Sequence, residues 1–158
     1  MTNVVAARNE SRRHFETRKL AHLAERRTRS ADVFRELQSA IHEIEWLTWF
    51  ALVDARAITL KMLDDYDIAM HRTLANLMGA STSLAAVDAN AYELIQPKIR
   101  EVYDLEWELA KRTIKVRLAA WITPEDEAEL KKFALEATRI GEEIPTMLAS
   151  AMRDIESD

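Results

Sequence analysis

From its first residue to Met78 the chain contains neither glycine nor proline. Sheets need frequent turns, and turns draw on those two residues, so a stretch this long without punctuation points to helices. The whole chain of 158 residues holds only two glycines, Gly79 and Gly141, and three prolines, Pro97, Pro124 and Pro145. The pattern predicts an all-α protein, an antiparallel four-helix-type bundle with one very long helix over about 31–78.

The apolar spacing supports this division. Phe34, Leu37, Ile41 and Ile44 recur at three and four residues, followed by Ala51, Ala55, Ile58, Met62 and Ala69. Ser30 is the expected N-cap of that long helix. Residues 79–90, GASTSLAAVDAN, are the expected loop, with Gly79 as the C-terminal stop. A third segment follows to about Ile122. Ile95, Ile99, Val102, Leu109 and Val116 mark one stripe on it, and Tyr103, Trp107, Ala110, Ile114, Leu118 and Trp121 mark a second. Thr123-Pro124-Glu125-Asp126 combines a capping hydroxyl, proline at the first helical position and acids facing the positive helix end. The last segment alternates Leu130, Phe133, Ala137, Ile140, Ile144, Met147 and Ala151, the spacing of a packed seam.

Charge divides the chain in two. Residues 1–30 carry eight Lys/Arg and three Asp/Glu, a net of +5, while the other 128 residues carry a net of −10. The expected organisation is a basic N-terminal helix or arm, 1–29, on a helical bundle domain, 30–158. Arg12, Lys19 and Arg26 are seven apart, with Arg13 and Arg27 beside them. On a helix they form a positive stripe, which suits nucleic acid or an acidic partner. Only Phe15 and His14 offer stacking, so base-specific readout is not expected.

Residues 43–58, EIEWLTWFALVDARAI, are apolar on nearly every side of a helix. The charges in and around the stretch oppose a membrane span. Cover on several faces is therefore expected, and Trp46, Trp49, Phe50 and Val53 are the candidate self-association interface. Asp54 and Arg56, if buried, would need partners.

Chemistry is sparse. Cysteine is absent, which removes disulfides and thiolate catalysis and fits a cytoplasmic protein. There is no phosphate-binding loop, zinc-protease motif or nucleophile elbow, and no cofactor is expected. Two weak patterns stand against a non-enzymatic reading. Arg35-x6-His42 and Arg8-x5-His14 fit the loose spacing of HEPN-type ribonucleases. A metal set is offered by His42, Asp67 and His71, with Glu45 three residues after His42 and with Glu101, Asp104 and Glu108 as further donors. The eighteen residues LDDYDIAMHRTLANLMGA, 63–80, resemble a helix end of Dps-type ferritin-like proteins. That resemblance implies metal ligands near Asp67 and His42. His71, however, stands where the family has glutamate, and the usual glycine-containing loop after the early histidine is missing. The leading expectation is a self-associating structural or adaptor protein, and the alternative is a metal- or ligand-binding bundle.

Overall fold

The computed structural model describes residues 2–119 and 121–157, with side chains described over 12–119 and 121–155. Among the described residues four helices follow one another: α1 Thr2–Asp54, α2 Leu60–Val87, α3 Ala89–Ala119 and α4 Pro124–Ser157, with a 3₁₀ turn, Ala55–Ala57, after the first. Among the described residues there is no strand. Helix α1 packs mainly on α4 and α2, and it touches α3 least. The chain therefore runs up, down, up and down, with α1 and α3 diagonal and parallel.

The very long helix is present but displaced from 31–78. It spans Thr2–Asp54 and stops where no glycine or proline stands. Side-chain caps replace the missing breakers. The Asp54 carboxylate accepts from the Arg56 backbone N–H at 3.0 Å. The Thr59 hydroxyl accepts from the Met62 N–H at 3.2 Å and starts α2. Ser30 does not cap a helix, because α1 passes through it, and its side chain is buried.

The expected 79–90 loop is also shorter than its composition suggests. Helix α2 runs through Gly79 to Val87, and the hydroxyls of Thr82 and Ser83 donate to the carbonyls of Met78 and Gly79 at 2.9 Å each. These back-bonds let polar residues stay helical. Only Asp88 forms the turn, and its carboxylate caps α3 by accepting from the Ala91 N–H at 3.0 Å. The Thr123–Asp126 start of α4 is a reciprocal cap, with Thr123 Oγ1 accepting from the Asp126 N–H at 3.1 Å and Asp126 Oδ2 accepting from the Thr123 N–H at 3.1 Å. Pro97 and Pro145 lie inside α3 and α4 without ending them, and both rings are exposed.

The core is mostly aliphatic, with Phe34 and Tyr66 among its buried residues. Val33, Leu37, Ile41, Ile44 and Leu47 of α1 meet Leu63, Met70 and Leu77 of α2, Ile95, Val102 and Leu109 of α3, and Leu130, Ile140 and Ile144 of α4. Gly141 lets α4 approach α1 closely, since a Cβ there would stand 3.2 Å from Ile41 Cγ2.

Candidate interaction surfaces

The basic stripe lies where α1 leaves the bundle. Side chains from Arg12 to His22 are all exposed, and from Arg12 onward the first fully buried residue is Ser30. The helix from Thr2 to about residue 21 thus extends past the bundle by roughly 30 Å at about 1.5 Å per residue. Arg12 Nε donates to Glu16 Oε1 at 3.1 Å, one turn along. Of the five expected cationic residues, Arg12, Arg13, Lys19 and Arg27 are exposed, whereas Arg26 turns inward. Its Nε donates to Asp88 Oδ2 at 2.5 Å. Burial alone would raise the Asp88 carboxyl, but the Ala91 N–H and the Arg26 guanidinium outweigh it and hold the group below the usual carboxylate range.

At the other end of α1 stands an aromatic face. Ile44, Leu47, Thr48 and Ala51 are buried against the bundle. Trp46, Trp49, Phe50 and Val53 occupy positions i, i+3, i+4 and i+7 on the opposite side, with Trp49 55% and Val53 67% exposed. Phe50 is half-buried between the tryptophans, edge-on to Trp46 at 6.0 Å and to Trp49 at 5.3 Å. Asp54 and Arg56, beyond this face, are both exposed, so neither is a buried charge.

A second face was visible in the sequence only as a stripe to be packed. Ile95, Ile99, Val102, Leu109 and Val116 fill the core side of α3. Trp107, Ile114 and Leu118 lie on its outer side, with Trp121 just after the helix, and all four are more than half exposed. Lys111 Nζ sits 6.0 Å from the Trp107 ring centroid, a cation–π contact. All four tryptophans of the chain are therefore exposed.

The metal set does not assemble. His42 is exposed on α1, and Asp67 and His71 lie one turn apart on α2, with His71 Nδ1 2.9 Å from the Asp67 carbonyl. The Asp67 carboxylate is held by Arg117 at 2.7 Å, and Asp64 by the same guanidinium at 2.7 Å. Glu101 is bound by Lys98 and Arg139, and Glu108 by Lys111. Among the described residues no group of three or more His, Asp or Glu is placed to hold a metal ion. His14 is exposed on the extension, and the side chain of Arg8 lies outside the described residues.

One polar spot is buried instead. Tyr66 is fully enclosed, and its hydroxyl has no hydrogen-bond partner among the described residues. Burial first, and then the charges of Glu106, Asp67 and Glu43, push its pKa well above the ordinary phenol value. Burial likewise raises Glu106, with His71 pulling the other way and Asp67 adding to the rise. The periodicity gives no hint of Glu106, because it follows a core leucine on a helix rich in acids.

One open cleft, about 470 Å³, lies between α3 and α4 over Leu105, Phe133 and Ile140. Another, about 420 Å³, opens at the bundle end beside Arg56, Thr59 and Trp121. Neither brings a nucleophile to a base. Among the described residues no helix is long and apolar enough to cross a membrane. No protein-family model matches the chain, and neither a curated protein nor a solved structure shows significant similarity to it.

Proposed function

We propose that the chain is a non-enzymatic, self-associating helical protein, a structural or adaptor component of a larger assembly. Its basic N-terminal extension contacts a polyanion, either nucleic acid or an acidic protein surface. The observation that carries the reading is the exposure of all four tryptophans. Tryptophan is the residue most enriched at binding hot spots, and a contiguous exposed apolar face marks an interaction site. Trp46, Trp49, Phe50 and Val53 form one such face on the side of α1 turned away from the core.

The extension supports the second half of the reading. A helix projecting past its own bundle buries little of itself, and here it carries the positive charge of a chain that is otherwise acidic. Phosphate or carboxylate arrays are the natural counterpart of such a row. The absence of cysteine supports a cytoplasmic setting. Replacing Trp46 and Trp49 together by aspartate tests the interface. The variant retains its helical circular dichroism and loses the native mass; a variant that keeps that mass refutes the interface.

A further inference from the structure

Resting on that reading of self-association, we infer that the contact is heterologous: the α1 face of one copy covers the α3 face of the next, so that copies assemble side by side in one direction. Three features lead to this. First, among the described residues the exposed tryptophans fall on two apolar faces, Trp46–Val53 on α1 and Trp107–Leu118 on α3, and these sit on diagonal helices. They therefore point away from each other, and one partner cannot cover both.

Second, the faces lie at the same level of the bundle. Both occupy the last turns of parallel helices, at the end where Arg56 and Leu60 meet Val116 and Trp121. A simple translation of one copy by about two helix diameters, roughly 20 Å, brings the α1 face of one against the α3 face of the next. No rotation is needed. An isologous α1–α1 pair would leave Trp107 and Leu118 uncovered.

Third, the charges beside the faces are complementary. Asp54 is exposed at the end of the α1 face and Glu43 is partly exposed at its edge, whereas Glu45 turns to α4 and accepts from the Thr138 hydroxyl at 3.3 Å. On the α3 face Glu108 pairs with Lys111 beside Trp107, and Lys115 lies between Ile114 and Leu118 toward the end of the helix, level with Asp54. An Asp54–Lys115 contact favours the mixed pairing, whereas two α1 faces would set Asp54 against Asp54. Translation also leaves every basic extension on the same side of the row, so that an assembled chain presents repeated positive helices to one polyanion.

Complementation between two blocked copies tests this. One variant carries Trp46→Asp and Trp49→Asp; the other carries Trp107→Asp and Leu118→Asp. In sedimentation velocity the intact chain exceeds a dimer and grows with concentration, each variant alone is a monomer, and an equimolar mixture gives a 1:1 dimer that goes no further. If the α3-face variant keeps the mass of the intact chain, self-association stands and the heterologous contact is wrong. If each variant alone is a dimer, the faces pair with themselves and the inference is likewise overturned. If the intact chain is itself a monomer at every concentration, the underlying reading fails. Should an aspartate variant lose its helical signal, the alanine pairs Trp46→Ala/Trp49→Ala and Trp107→Ala/Leu118→Ala carry the same comparison.

Discussion

Arg26 and Asp88 are sixty-two residues apart in sequence and joined by a 2.5 Å hydrogen-bonded ion pair that ties the start of the bundle portion of α1 to the turn between α2 and α3. Their side chains are 14% and 5% exposed, so the pair is shielded from solvent. Asp88 also caps α3. Asp88→Ala therefore removes the α3 cap together with a shielded charge-assisted hydrogen bond to Arg26. The expected loss is roughly 1–3 kcal/mol by chemical denaturation.

The same pair sets part of the acid sensitivity. The folded-state pKa of Asp88 is depressed, as is that of Asp126, where the Thr123 hydroxyl bond leads, with Arg112 adding to it against burial. A depressed carboxylate contributes stability that is present above its unfolded value, about 4, and lost as pH falls through the folded value. Stability should fall steadily below about pH 4. Asp88→Asn should flatten that fall, as read from denaturation midpoints at several pH values.

Glu106 has the opposite sign. Burial raises its folded-state pKa, so the native protein holds this proton more tightly than the unfolded chain. Ionisation near neutral pH therefore costs stability that is regained as the medium turns acidic. Glu106→Gln is expected to stabilise by about 0.5 kcal/mol at pH 7 and by less near pH 4. Tyr66→Phe removes an enclosed hydroxyl with no partner among the described residues and should be neutral or stabilising by about 1 kcal/mol. A marked loss would mean that the hydroxyl is satisfied.

The two glycines should answer differently to alanine. Nothing lies within 4 Å of a Cβ at Gly79, which sits inside α2, so Gly79→Ala should stabilise by about 0.5–1 kcal/mol through helix propensity. At Gly141 the new methyl meets Ile41 at 3.2 Å and Glu45 Oε1 at 3.8 Å, which offsets the same gain. Thermal unfolding of both variants side by side checks this.

These two positions also show how far the fold was legible. Helical class, the α4 start and the core stripe of α3 follow from spacing and capping chemistry that act locally. The boundary at Asp54–Thr59 does not, because it is made by two side-chain caps in a run with no breaker. Gly79 reads as a stop, yet packing of Leu77 and Leu84 into the core carries the helix past it. The outer stripe of α3 was visible as a period, but which of two stripes faces inward is decided by neighbours the local pattern does not contain. Arg26 belongs by spacing to the cationic row, and only the return of the chain at Asp88 shows that it is structural.

For the extension, Arg12→Glu with Arg13→Glu should weaken binding to a duplex DNA or polyglutamate probe at least tenfold at low salt. Both probes should bind less tightly as salt rises, the expected mark of a charge-driven contact. Salt-insensitive binding, or binding unchanged in the variant, contradicts the assigned role.

Exposed tryptophan faces are proposed to bring copies of this chain together, and solution mass is the measurement that bears on this. Sedimentation of the intact 18.2 kDa chain over a hundredfold range of concentration should give a mass well above the monomer, rising with concentration. A single monomeric species throughout that range would show that these faces do not bring copies together.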